Sequence, residues 1–233
     1  MTDDGPVWWG GVPERPRPGP LVVVVTAGLD GPHRYAPLLN RLVRRGHAVL
    51  ATGPPGTAPG SRRPEAALSR LVDDGTRVAM TEQVHVIGFG FGGRLALGAA
   101  ARDDRIRVVQ LVGAPVARLF DEPELLLSLP KGELDTLVRM TGAGRRDLLP
   151  EALGTLALRP ETLYPLSGLV RVAYGAEDPL TPPQDLALLK LTLARSEFRA
   201  FPAGVGGIAP SRAVRRWLVD GVRPPPPRRP SCR

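Results

Sequence analysis

The sequence predicts an α/β domain with a mostly parallel central sheet covered by helices on both faces. Three observations carry that reading. Short Val-rich runs recur along the chain with helix-patterned segments between them, the order that a parallel sheet with crossover helices requires. The third run leads straight into a glycine-rich turn, Gly88-Phe89-Gly90-Phe91-Gly92-Gly93, and then into small apolar residues. Finally, 233 residues that are 42% hydrophobic suffice for one sizeable core.

The elements follow in chain order. Residues 1–20 are rich in Pro and Gly and hold the adjacent Trp8 and Trp9, which reads as an arm fixed to the domain surface by its indoles. The strand candidates are Leu21–Thr26, Ala48–Thr52, Val84–Gly88, Val108–Val112, Leu169–Tyr174 and Phe198–Phe201, a sheet of about six strands. Tyr35–Arg45 has apolar residues at helical spacing and a stop at Gly46. Glu65–Asp73 follows Pro64, a residue suited to a first helical turn. Gly92–Ala101 is small and apolar on most sides, so it belongs against the sheet. Ser211–Val219 closes the domain with Ala213, Val214, Trp217 and Leu218 on one face. From Ala114 to Gly168 the alternation stops; helix-like pieces at Glu122–Leu129, Gly132–Arg139 and Asp147–Leu158 read as a helical insertion, a lid over the sheet. The domain thus runs over 21–222. Residues 223–233, RPPPPRRPSCR, read as an extended, disordered tail.

Composition removes several classes of function. No apolar run approaches the roughly 18 residues of a membrane span. The acidic, Pro-broken start, Met1-Thr2-Asp3-Asp4-Gly5-Pro6, is unlike a secretory signal, so a cytoplasmic protein is expected. Cys232 is the single cysteine, which excludes disulfides within the chain, a Cys-built zinc site and a buried catalytic thiol. The net charge of +8 is spread along the chain, with Arg223, Arg228, Arg229 and Arg233 in the tail and no aromatic interleaving of the kind that stacks bases, so no nucleic-acid partner is expected. Three histidines without ligand spacing predict no metal site, and the absence of G-K-[ST] predicts no phosphate loop. No cofactor is expected; the partner is a small-molecule or peptide substrate, and the oligomeric state is left open.

The glycine-rich turn admits two chemistries. Gly88, Gly90 and Gly93 match G-x-G-x-x-G, the dinucleotide fingerprint, but two strand-helix units precede it and the next strand, Val108–Val112, ends without the acidic residue that holds a ribose. The same strand-turn-helix also matches the nucleophile elbow G-x-S-x-G through Gly88-Phe89-Gly90-Phe91-Gly92, with Gly90 where the serine stands.

At this point the chain resembles the α/β-hydrolase family over most of its length. Leu21–Thr26 with Ala27-Gly28 resembles the oxyanion-loop strand; His47–Thr52 with Gly53-Pro54-Pro55-Gly56 resembles the next strand and its loop. Val172-Ala173-Tyr174-Gly175-Ala176-Glu177-Asp178-Pro179 resembles the turn that presents the acid. Phe201–Ile208 resembles the segment that presents the histidine, with Gly206 at its place. The resemblance implies a lidded α/β-hydrolase fold. It also implies loss of the triad: Gly90 offers no hydroxyl, and His33, His47 and His85 all precede the elbow, so the family's order of nucleophile, acid and histidine cannot be built. Asp178 keeps the acid position. The backbone N–H of Phe91 and a donor near Gly28 would form an anion hole, each donor contributing about 2.7–4 kcal/mol once a negative oxygen develops. Phe89, Phe91, Val205 and Gly206 would line an apolar pocket.

Two functions of different class follow. One is a non-hydrolytic enzyme that moves a proton next to a carbonyl, an epimerase or isomerase, with Asp178 or His33 as base; triad-less members of this superfamily act as peptide epimerases in the biosynthesis of bottromycin-like peptides, and the chain resembles that group in triad loss and small size. The other is a non-catalytic pseudohydrolase that binds a ligand or partner. A hydrolase with a displaced nucleophile is a third alternative. Plain structural roles stand beside these: Asp178 and Glu177 as turn residues, His33 as a surface residue, His85 as a satisfied core histidine, His47 as peripheral, and Arg145 and Arg146 as a solvated pair.

Overall fold

The computed structural model describes residues 6–14, 19–28, 31–55, 65–122, 124–125, 129, 131–141, 149–176, 178, 180–202 and 211–222. Seven strands form one sheet: β1 (Val7–Trp9), β2 (Leu21–Val25), β3 (Val49–Thr52), β4 (Val84–Phe89), β5 (Ile106–Val112), β6 (Leu169–Gly175) and β7 (Ser196–Phe201). Their order across the sheet is β1-β3-β2-β4-β5-β6-β7. Every pairing is parallel except that of β1, which runs antiparallel to β3 with Trp8 opposite Leu50. The seven strands exceed the sequence estimate by β1, which lies inside the segment read as an arm. Trp9 is fixed there by its indole N–H, which donates to Asn40 Oδ1 at 2.8 Å.

Strict alternation divides the central strands between two cores. Leu21, Val23 and Val25 of β2 and Val84 and Val86 of β4 pack under α2 (Ala66–Ala79) and α3 (Phe91–Ala100). Val22, Val24, Ile87 and Phe89 face α1 (Ala36–Arg44) and α9 (Arg212–Gly221). Helix α2 runs past Asp73, where the sequence pattern places its end, as far as Ala79. Gly75 sits in its middle because a Cβ there would stand 2.8 Å from Leu21 Cδ2, so the glycine admits close packing on the sheet instead of stopping the helix. Helix α8 (Pro183–Thr192) has no counterpart in the sequence reading; Pro183 opens it. In α9, Ala213 is exposed, while Val214, Trp217, Leu218 and Val219 are buried.

Two histidines differ from expectation. His47 is buried, not peripheral, because β3 starts beneath α1 and the α1–β3 turn. His85 is a core residue on the α1/α9 face, yet its Nδ1 has no hydrogen-bond partner among the described residues. Burial, followed by the nearby His47, lowers its pKa to about 4.

Between β5 and β6 the described residues form α4 (Arg118–Asp121), α5 (Lys131–Thr141), α6 (Leu149–Leu153) and α7 (Pro160–Leu163). Buried charges tie both ends of this insertion to the domain. At its start, the Asp185 carboxylate of α8 accepts from the backbone N–H groups of Val116 (2.7 Å), Ala117 (3.2 Å) and Arg118 (3.1 Å). Near its end, Arg94 of α3 donates to the carbonyls of Leu156 (2.5 Å) and Thr155 (3.3 Å) and pairs with Glu65, which also holds Arg102 at 3.1 Å.

Candidate active site

The β4–α3 turn has the geometry its glycines predict. Gly90 adopts φ 49° and ψ −125°, a conformation that L-residues rarely take and that the elbow requires. The flanking glycines are set by space. A Cβ on Gly88 would stand 2.4 Å from Gly93 Cα, and one on Gly92 would stand 2.5 Å from the Thr26 carbonyl oxygen. Gly93 N–H and Arg94 N–H donate to the Gly90 carbonyl, at 3.0 and 3.4 Å. Phe91 opens α3, so its N–H is among those that a helix start leaves without an intrahelical partner, where the helix dipole favours negative charge.

Residue 90 faces Ala27. A Cβ there would lie 3.2 Å from Ala27 Cβ, so the oxyanion-loop position and the vacated nucleophile position are in contact. Ala27 N–H is already taken by Tyr35 Oη at 3.3 Å, which leaves the amide of Gly28 as the second donor of that loop. Phe89 and Phe91 point to opposite faces of the sheet. Phe89 stacks on Tyr35 at 4.5 Å between ring centroids, and Phe91 meets Phe120 of α4 at 6.4 Å.

Asp178 reaches the same place from the β6 turn. It is buried, and its carboxylate accepts from Leu180 N–H and from the Thr181 hydroxyl, both at 3.0 Å. Its Oδ2 occupies the space a Cβ would take on Gly113, whose φ is +56°. Gly113 directly follows Val112, whose carbonyl accepts from Gly90 N–H at 2.9 Å. The acid position thus sits over the end of β5, beside the elbow. His33 does not join it. That residue is exposed on a 3₁₀ turn, Pro32–Tyr35, with its ring 5.3 Å from that of Trp9. Val205, Gly206, Glu177, Arg145 and Arg146 lie outside the described residues, as does the tail over 223–233.

Helix α5 closes over this corner and supplies residues the sequence reading missed. Thr136, fully buried, donates to the Gly132 carbonyl at 2.9 Å and packs on Gly28, where a Cβ would be 3.3 Å from its Oγ1. One turn earlier stands Glu133, half-buried. Its Oε2 is enclosed and has no hydrogen-bond partner among the described residues. Burial, and then the charge of Asp178, raise its pKa above the ordinary carboxylate value. The signal is present in the sequence: Glu133, Thr136 and Met140 share one helical stripe, and an acidic residue on a buried stripe is anomalous. Among the described residues no group of three or more His, Cys, Asp or Glu is placed to hold a metal ion, and no helix is long and apolar enough to cross a membrane.

No family model matches the chain. Esterase FrsA of Vibrio cholerae serotype O1 is 31% identical over 145 residues, covering 55% of this chain and 33% of the relative. Esterase FrsA of Vibrio vulnificus is 26% identical over 151 residues, covering 58% and 34%. The chain thus spans about a third of the length of the curated relatives it matches. Among solved structures, AbyA5 superposes with a TM-score of 0.77 at 26% identity, covering 91% of this chain and 62% of that one. A 2,6-dihydroxy-pseudo-oxynicotine hydrolase gives 0.70 at 18%, covering 91% and 63%. The lipolytic enzymes LipS and LipT give 0.61 at 14%, covering 95% and 96%. Sheet order, elbow and likeness converge, and the chain has the α/β-hydrolase fold.

Proposed function

We propose that this chain is a non-hydrolytic enzyme of epimerase or isomerase type, moving a proton next to the carbonyl of a peptide or small metabolite. One observation carries the reading: residue 90 keeps the elbow backbone and its helix-start N–H groups while offering no side chain to attack with. The substrate carbonyl oxygen would sit against Phe91 N–H and the Gly28 amide. Removal of the adjacent proton then places negative charge on that oxygen, where preorganised donors stabilise it most. Asp178 is the carboxylate beside the elbow and is the base in preference to the exposed His33. The esterase names belong to the relatives. Hydrolysis here would need another nucleophile, and the hydroxyls of Thr136 and Thr181 are engaged with the Gly132 carbonyl and the Asp178 carboxylate.

The test is deuterium uptake from heavy water into a panel of peptides and carbonyl metabolites, read by mass spectrometry. The expected result is exchange at one carbon-bound hydrogen that disappears in Gly90→Val, which fills the vacated space. Saturable hydrolysis of a p-nitrophenyl ester, lost in the same variant, would overturn the reading; so would tight binding of a panel member without exchange.

A further inference from the structure

Among the described residues, one side of the sheet ends in a strand with nothing along its outer edge. β7 pairs with β6 over its whole length, without a shift in register, and with no other strand. β1, at the opposite end of the sheet, has three residues; β7 has six and meets its first proline only at Pro202. A long, unbulged, proline-free edge is a template for another strand. Which groups it offers follows from the ladder. The Arg195 carbonyl accepts from Val170 N–H, so the odd-numbered residues of β7 turn their backbone groups toward β6. Ser196, Phe198 and Ala200 therefore turn theirs outward. Ala200 is exposed, and Ser196 and Phe198 are half-buried.

We infer that this edge pairs with the same edge of a second copy of the chain, antiparallel, about a two-fold axis at Phe198. The side chains select both the partner and the register. Glu197-Phe198-Arg199 is complementary in charge to its own reverse. An axis at Phe198 sets Glu197 opposite the partner's Arg199, and Arg199 opposite the partner's Glu197. An axis at residue 197 or 199 would set like charges directly opposite, which is destabilising, and one at 196 or 200 would leave much of the strand unpaired. With the axis at Phe198 the two charged pairs fall where no backbone bonds are exchanged and side chains stand closest. Phe198 meets its own copy, and Ser196 meets the partner's Ala200. Those pairs exchange both of their N–H···O bonds, so every outward backbone group of Ser196, Phe198 and Ala200 is met. In the free chain Glu197 and Arg199 are exposed on one face of the sheet: Glu197 Oε2 accepts from Arg171 Nε at 2.8 Å, and the Arg199 guanidinium lies over the Phe201 ring at 5.2 Å. A contact of one strand from each copy is small, so micromolar affinity is expected.

Sedimentation equilibrium of the full chain at roughly 1–100 μM should show a monomer–dimer equilibrium. Ala200→Pro removes one outward N–H and sets a ring in the edge, yet spares the ladder to β6, in which that N–H takes no part. It should remain monomeric with an unchanged circular dichroism spectrum. Arg199→Glu, an exposed change that carries the test if the proline variant misfolds, sets carboxylates opposite one another at both charged pairs. By symmetry it acts twice, and it should raise the dissociation constant about tenfold. Adding Glu197→Arg to Arg199→Glu reverses both charges and should recover most of that loss, a rescue that only an axis at Phe198 gives. A wild type that stays monomeric up to about 100 μM overturns the inference. So does a dimer that survives both Ala200→Pro and Arg199→Glu, which would place the contact elsewhere. A chain that dimerises only after residues 223–233 are removed would show the edge covered by its own tail and overturns it too. No recovery in the folded double variant overturns the axis at Phe198.

Discussion

The elbow and the acid corner of the cleft meet over the end of β5 but are built by opposite means. At the elbow, backbone does everything. Gly88, Gly92 and Gly93 are glycines because neighbouring main chain occupies the space of a side chain, and Gly90 because its φ is positive. At the acid corner, side chains do everything: Asp178, Thr181, Glu133 and Thr136 come from a turn and from a helix in a separate insertion. The elbow holds its shape with no side chain at residue 90 because strand–helix packing fixes that shape independently of chemistry.

The sharpest way to break this contrast is at the elbow. Gly92→Ala places a Cβ 2.5 Å from the Thr26 carbonyl and 2.6 Å from the Val25 carbonyl, both of them backbone that cannot swing away. The expected loss is on the order of 4 kcal/mol or more, enough to unfold a marginal domain; urea denaturation measures it. A smaller loss would mean that the turn can relax and that its geometry is not imposed by packing.

A second effect, next in size, lies at the other end of β4. His85 titrates near 4 when folded and near 6.5 when unfolded, so the unfolded chain binds the extra proton between those values. Its contribution is fully present above pH 6.5 and falls by about 3 kcal/mol as pH drops toward 4. His47, also lowered by burial first and then by Arg45, acts in the same direction. Chemical denaturation at pH 7 and pH 4.5 should show the loss in the wild type and a much smaller one in His85→Leu. Equal losses would place the acid sensitivity elsewhere.

The same contrast explains what the sequence discloses. Val-rich strands and the glycine turn are local patterns, and they locate β2 through β7 and the elbow within a few residues. Trp8 belongs to a strand only because β3 offers it a free edge, a fact held by residues some forty positions away. Glu133 and Asp135 look alike in sequence as acidic residues of one amphipathic helix. Only the packing of α5 decides that an oxygen of Glu133 is enclosed. Gly75 shows the converse: a residue unfavourable in an isolated helix stands where the sheet presses closest.

Asp185 offers a milder perturbation confined to the acid side. Its carboxylate holds the first turn of the insertion through three N–H groups. Asp185→Ala leaves those donors buried and unmet, costing about 2 kcal/mol in thermal or urea unfolding. Because α5 hangs from that turn, the titration midpoint of the Glu133 carboxyl, read by carbon-13 NMR, should fall toward its ordinary value while the elbow stays intact. An unchanged midpoint would show that α5 is positioned by Thr136 and Gly28 alone.

The smallest expected effect tests the elbow chemically. Gly90→Ser restores the missing hydroxyl in a backbone conformation that costs a side chain about 1–3 kcal/mol, and its Cβ meets Ala27 Cβ at 3.2 Å, a contact that needs a shift of a few tenths of an ångström. The lower half of that range is expected, because the surrounding packing already fixes the turn. The variant should still fail to hydrolyse p-nitrophenyl acetate above background. A serine beside an anion hole needs an imidazole to take its proton, a carboxylate being too weak a base for a hydroxyl, and the single histidine at this end of the sheet among the described residues, His33, is exposed and packed against Trp9. A burst of nitrophenol, with mass spectrometry finding an acyl group trapped on the introduced hydroxyl, would show that Asp178 can activate a nucleophile. The two halves of the cleft would then be less separate in function than they are in construction.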